Sequence, residues 1–460
     1  MSTIKVNTIT KRTGSTLTLG ESGATVAIAC GATTSGMGRT GTVDWCSTIY
    51  TNSPGTITGV NGKGYFINTT SGTVTVTLPS SPSAGDIIAI KDYARTFGTN
   101  AVTINRNGSK MCGSCACTTV GTNGTSATLI YADNTRGWMF INEDATSQAG
   151  TSYVTATGGT ITTSGDYKIH TFTSSSNFVV TCAGNATGSD KVSYVVVAAG
   201  GGGAGNQGNA DGSSGGGAGG YREGKCSADP YTASPLAATP CSGIAVPAAT
   251  YPITIGAGGA GGPDAAGGHG SKGNNSIFSS ITSTGGGGGQ HPSPPYAPIS
   301  KDGGSGAGAA ASGNPNANQI GAGNTPPVSP PQGNNGGNYS SSGASAAGGG
   351  GGAGAVGGNA PGNTVAGNGG DGVTSSINAS AIARAGGGGG SAYPGNTGGS
   401  GGAGGGGDGG KAPGTPSPSG QPGTANTGGG GGATNATPGT AAAGGTGGSG
   451  VVIIRYKFQN

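Results

Sequence analysis

The sequence predicts an all-β protein, in which small β-sandwich modules precede a β-framed, glycine-rich domain of packed polyglycine helices of the polyproline-II type. Three observations carry this expectation. No window holds apolar residues at i, i+3, i+4 and i+7 over three turns, while short alternating apolar runs recur. Glycine supplies 107 of the 460 residues, roughly three times its usual ~7% share. The glycines are also unevenly placed, with 26 in residues 1–200 and 81 in residues 201–460.

Residues 1–60 form the first unit. Ile4 with Val6, Leu17 with Leu19, and Val26 with Ile28 mark three short strands, separated by Gly14 and by Gly20 and Gly23. Such strands are too small to hold a core alone, so they pack against copies of themselves or a larger body. Residues 30–60, rich in Gly, Thr and Ser, read as a linker. The unit is expected to serve attachment and oligomerisation.

Residues 61–150 form the second unit. Val74, Val76 and Leu78 alternate with Thr73, Thr75 and Thr77, the pattern of a half-buried strand. Further strands are expected around 87–90, 102–104, 129–131 and 138–141. Pro79, Pro82, Asn107-Gly108 and Asp133-Asn134 supply turns between them. The expectation is a small antiparallel sandwich.

Residues 151–460 form the third. Strands are expected at Ile161 and over 167–172 and 178–181, with His170 on a solvated strand face. Tyr194-Val195-Val196-Val197-Ala198 is apolar on both faces, as a central strand would be, and runs into Gly200–Gly203. The junction repeats where 277–284 meets 285–289 and where 377–385 meets 386–390. The chain closes with another apolar strand over 451–458, whose last half opposes Ile454, Tyr456 and Phe458 to Arg455 and Lys457.

The glycine runs do not keep the every-third-residue period of collagen, since residues 291–302 contain none. A flexible tether and a bundle of extended glycine rods remain. Rods without Cβ atoms can lie side by side and pair each backbone N–H and C=O with a neighbour; five glycines would span ~15 Å. Ordering costs ~1–2 kcal/mol per residue, against ~0.5–1.5 kcal/mol net per hydrogen bond, so rods need their ends held. The strands that lead into the runs, and a final strand that must be buried, favour the bundle, with 194–198 and 451–458 in one sheet. Disordered chains also tend to carry high net charge, whereas residues 201–460 hold eight basic and seven acidic side chains.

Composition narrows the function. Net charge is +4 without a basic cluster, which argues against a nucleic-acid partner. No apolar run approaches the ~18 residues of a membrane span, so no membrane insertion is expected, and the first residues hold no run of signal-peptide type. Three histidines and three glutamates equip the chain poorly for acid–base work, so no catalytic residue and no cofactor are expected. Gly405-x-x-x-x-Gly410-Lys411 matches a P-loop only up to the lysine, because Ala412 and Pro413 replace the hydroxyl residue and the helix. Cys112-Gly-Ser-Cys115-Ala-Cys117 lacks a second pair or a nearby histidine, so no metal site is expected. Cys226 and Cys241 flank a loop that a disulfide could close in an oxidising exterior.

Recognition remains. Glycine-poor interruptions at 225–240, 291–301 and 314–332 would form loops at the rod ends. Tyr231, His291 and Tyr296 lie in them, with Tyr339 and Tyr393 further along. Rings on ordered loops offer large contact area at low entropy cost, and these five are the candidate binding residues. The alternative is that they only cap the bundle.

The residues from Thr155, Gly158, Thr160 and Ile161 through 167–172 to Tyr194-Val195-Val196-Val197, with the ending Gly450-Val451-Val452-Ile453-Ile454-Arg455-Tyr456, resemble the glycine-rich domain of bacteriophage tail-fibre proteins. The opening Ser2-Thr3-Ile4-Lys5-Val6-Asn7, and residues 77–90 with 131–138, are similar to fibre proteins of marine phages. The resemblance implies a non-enzymatic virion adhesin, assembled in the host cytoplasm, that binds a bacterial surface receptor, protein or glycan, through loops of its tip. It also implies virion tail proteins as partners and a homotrimeric fibre. A structural filament subunit without a receptor, or a tailspike glycan hydrolase, would be the alternatives.

Overall fold

A computed structural model describes residues 43–141, 151–205, 212–238, 242–263, 268–292, 300–311, 319–340, 346–393, 396–410, 419–434 and 442–459. The strands expected over residues 4–29 lie outside these. Among the described residues there is no helix, and the fold is all-β.

The first described unit is built from β1 (Asp44–Tyr50), β2 (Thr56–Thr58), β3 (Lys63–Ile67), β4 (Val74–Thr77), β5 (Ile87–Asp92), β6 (Val102–Asn105), β7 (Thr118–Val120), β8 (Ser126–Tyr131) and β9 (Trp138–Phe140). They form two sheets, ordered β1-β3-β5-β8-β9 and β2-β4-β6-β7. The chain crosses from one sheet to the other at each of its first five turns. Successive strands of one sheet are therefore parallel, with Val74 beside Val102 and Gly64 beside Ala89. Only β7, β8 and β9 pair antiparallel. This corrects the expected antiparallel sandwich: the turn residues fold the chain across to the facing sheet and not back along its own. It also corrects the linker boundary. Residues 44–58 supply β1 and β2, and Ile57 enters the core with Val74, Val76, Ile88, Ile104, Leu129 and Trp138.

The second unit continues with β10 (Val154–Thr157), β11 (Thr160–Ser164), β12 (Tyr167–Phe172), β13 (Ser176–Ala183), β14 (Lys191–Val197), β15 (Tyr221–Gly224), β16 (Ala237–Ala238), β17 (Ile244–Ala245), β18 (Ala249–Thr254), β19 (Ser276–Phe278), β20 (Ile281–Ser283), β21 (Val373–Ser375), β22 (Ile382–Arg384) and β23 (Val451–Lys457). A sheet ordered β10-β13-β18-β19-β20 faces one ordered β11-β12-β23-β14-β15-β16. The expected closure is present: β14 and β23 are antiparallel neighbours, with Val197 beside Val451 and Tyr194 beside Ile454. Tyr194, Val196, Val452, Ile454 and Tyr456 pack into one core with Phe172, Phe178 and Phe278. Val195, Val197, Val451 and Ile453 pack on the other face with Tyr221, Tyr231 and Ile377. Burial on both faces explains why these strands are apolar throughout.

Two polar strand residues are buried, and for His170 this corrects the expected solvated face. His170 is fully buried, not solvated; its Nδ1 is 2.7 Å from Gly158 O and its Nε2 3.0 Å from Tyr456 Oη. Arg455 lies under the second core, paired with Asp229. A strand reads as half-solvated when polar and apolar residues alternate, but here each polar side chain meets a built partner.

From β14 the chain passes into the glycine lattice. Gly200 donates to Gly448, Gly201 to Gly217 and Gly202 to Ser271; Gly203 then returns to the first neighbour at Gly445, Ala204 to the second at Ser214, and Gly205 to the third at Gly268. Three neighbours in rotation mean three residues per turn, the screw of a polyproline-II rod. Close approach is why glycine is needed: a Cβ on Gly388 would stand 2.0 Å from Gly431 O. The lattice thus carries its own backbone pairing, and β14 and β23 clamp one end of it.

Candidate functional site

The rods run out from the strand frame and back, and their far ends meet. Ser214 donates to Gln290 O and Ser391 to Ser213 O; Ala311 donates to Gly212 O, Gly410 to Ala433 O and Thr434 to Ala204 O. These residues flank segments 206–211, 293–299, 312–318, 394–395, 411–418 and 435–441. The described rod ends therefore meet at the end of the lattice opposite the frame.

At this end Ala346 forms a bridge with Ala392, and Ser340 N–H donates to Ala346 O at 2.9 Å. Tyr339 precedes Ser340 and Tyr393 follows Ala392, so both tyrosines flank the same backbone junction. Tyr393 is 41% exposed and Tyr339 half-buried. Beneath them Ala346, Ala360, Ala366 and Ala392 form a small apolar cluster. Around them are amides: Ser340 Oγ donates to Asn363 Oδ1 at 2.9 Å, Asn396 Nδ2 to Asn363 O at 3.4 Å, and Asn338 N–H to Asn359 Oδ1 at 2.7 Å. Ring faces beside amide donors and acceptors can stack and hydrogen bond to a partner. Sequence reasoning singled out the two rings but not the asparagines, whose signal was their recurrence where glycine runs end.

The other candidates are placed differently. Tyr231 is 6% exposed, inside the second core, with the Arg455 guanidinium 5.7 Å and Lys225 Nζ 5.2 Å from its ring centre. Burial, then the nearby Glu223 charge, pushes its phenol far above the usual range. It packs the frame and cannot present a ring to a partner. His291 reaches the far end but is fully buried, its N–H donating to His269 Nδ1 at 2.9 Å. It too is a packing residue there. Tyr296 and Cys241 lie outside the described residues, so the Cys226–Cys241 pairing does as well; Cys226 is half-buried, its N–H 3.0 Å from Ser193 Oγ.

A second polar cluster lies under the frame. Glu223 accepts from Tyr221 Oη at 3.0 Å, Ser234 N–H at 2.9 Å and Ser375 Oγ at 2.7 Å. The nearby Arg384 is also buried, and desolvation, opposed by the Tyr221 and Glu223 charges, lowers its affinity for a proton. The carboxylate is saturated by donors that fasten β15 to the β21–β22 hairpin, which is structural work. Among the described residues, no group of three or more His, Cys, Asp or Glu is placed to hold a metal ion.

A family model described as a glycine-rich domain matches residues 171–457. No curated protein matches the chain.

Proposed function

The chain belongs to the glycine-rich domain family, and from that premise we propose that it is a bacteriophage tail-fibre adhesin whose rod-end surface binds a receptor on the bacterial host. The observation that supports this reading most is the meeting of the described rod ends away from the frame, where Tyr339 and the exposed Tyr393 flank one backbone junction. A hydrogen-bonded lattice with an exposed ring at its far end pre-organises a contact surface and lowers the entropy cost of binding. The strand unit and the segment before it then serve attachment to virion tail proteins. Three copies per fibre would add avidity of roughly 10²–10⁴ through effective concentration, so each site can be weak.

Fluorescently labelled full chain is incubated with a panel of marine bacterial strains. Saturable binding to at least one strain is expected, and the double variant Tyr339→Ala/Tyr393→Ala, with unchanged melting temperature, should lose it. The absence of saturable binding on every strain contradicts the adhesin reading. Undiminished binding by the double variant contradicts the site. Light scattering at the monomer mass contradicts the trimer.

A further inference from the structure

Cys115 stands on the turn between β6 and β7, in the first unit, and Cys182 on β13, in the second. The two thiols are hydrogen bonded to each other across the boundary between the units. Ser152 Oγ lies 3.5 Å from Cys182 Sγ. A cavity of about 440 Å³ opens at the same boundary, and its wall includes both cysteines together with Arg106, Lys110, Tyr153 and Thr181.

We propose that Cys115 and Cys182 form a thiol-modification site, where a small-molecule disulfide closes a covalent bond between the strand unit and the glycine-framed unit. The inference does not depend on the adhesin reading. Three features carry it. Both sulfurs line one cavity, within hydrogen-bonding reach of each other. The cavity gives a reagent a way in. The environment is also asymmetric. The Cys115 S–H donates to Cys182, and with Ser152, the Gly184 N–H and the Arg106 charge it outweighs burial and lowers the Cys182 thiol to about 5. Donating that bond, with burial added, pushes the Cys115 thiol well above its usual range. This asymmetry favours Cys182 as the attacking sulfur, with the proton kept on Cys115.

The step balances as thiol–disulfide exchange. The Cys182 thiolate attacks one sulfur of R–S–S–R, forming Cys182–S–S–R and expelling R–S⁻. Cys115 then attacks Cys182 Sγ, its proton passes to the leaving R–S⁻, and the Cys115–Cys182 bond forms. Two protein sulfurs are oxidised, and one small disulfide is reduced to two thiol equivalents.

The probe is oxidised glutathione on the full chain. The expected product lacks two hydrogens, and its non-reduced peptide map joins Cys115 to Cys182. Cys115→Ser should stop at a glutathione adduct on Cys182, and Cys182→Ser should give no cross-link at Cys115. Separately, iodoacetamide at about pH 6 should alkylate Cys182 at least ~tenfold faster in the folded chain than in the urea-unfolded chain. A chain recovered with both thiols free, a cross-link from Cys112 or Cys117 in place of Cys115, or equal alkylation rates would each overturn the proposal.

Discussion

Arg455 and Asp229 form a buried ion pair, Nε to Oδ1 at 2.7 Å, with side chains 4% and 2% exposed. The pair ties the last strand to the loop after β15. Ser193 Oγ donates to the second carboxylate oxygen at 2.9 Å, and the guanidinium carbon lies 4.5 Å from the Tyr167 ring centre. Both carboxylate oxygens are thus bonded, and Arg455 Nη1 donates to Ile377 O at 3.3 Å, the kind of added pairing that a buried ion pair needs to offset its desolvation cost.

Asp229→Ala should therefore destabilise the protein by about 3–5 kcal/mol, because it leaves Arg455 charged and unpaired in a dry core. The double variant Asp229→Ala/Arg455→Met should recover a good part of that loss. Urea unfolding of the two variants checks it, and equal stabilities would show that the orphaned charge is not the cause.

His170 gives the pH dependence. Gly158 O can only accept, so Nδ1 carries the proton and Nε2 accepts from the Tyr456 hydroxyl, which in turn accepts from Ala156 N–H at 3.2 Å. Burial holds the imidazole below its usual range, opposed by the Gly158 bond, and holds the Tyr456 phenol up at about 12. Below the unfolded value of ~6.5 the unfolded chain takes up a proton that the folded one refuses, so stability is full above that pH and falls beneath it. Melting temperatures at about pH 7.5 and about pH 5 should differ more in the wild type than in His170→Gln.

Glycine positions in the lattice and at its turns should respond oppositely to alanine. In Gly388→Ala the new Cβ meets Gly431 O at 2.0 Å and Gly431 C at 2.6 Å, so rods must part, at a cost of at least about 2 kcal/mol. A Cβ on Gly362 meets nothing within 4 Å, so Gly362→Ala should change stability by less than about 1 kcal/mol, in the stabilising direction. Thermal unfolding of the pair separates close packing from loss of flexibility.

Removing residues 451–460 takes away a strand with neighbours on both sides, β12 and β14. Limited proteolysis should then cut within residues 200–450, which stay intact in the full chain. Equal resistance would show that β23 does not clamp the lattice.

Local patterns were legible in the sequence, and their partners were not. The alternation at Val74 and Val76 located a strand, and the apolar run at 194–198 with the one at 451–458 located a shared sheet, because burial writes itself into period and composition. The parallel coil of the first six strands was not legible, since a turn residue marks a reversal without saying which sheet receives the chain. His170 read as solvated and Arg455 gave no sign of its ion pair, because Tyr456 and Asp229, their partners, lie 286 and 226 positions away. Tyr231 and His291 were singled out as rings in glycine-poor segments, but the lattice and frame close over them. Cys115 and Cys182 meet only through tertiary structure, and nothing in the Cys112–Cys117 spacing points across to β13.

The glycine runs form a hydrogen-bonded solid and not a tether. Native-state hydrogen exchange read across residues 198–205, 215–220, 285–289, 386–390 and 429–433 tests it most directly. Protection of these glycine amides comparable to that of β14 and β23 is expected, since Gly201, Gly216, Gly286, Gly388 and Gly431 each donate within 2.9 Å to a neighbouring rod. Exchange at the rate of an unstructured peptide through the glycine runs, with β14 and β23 still protected, would contradict it.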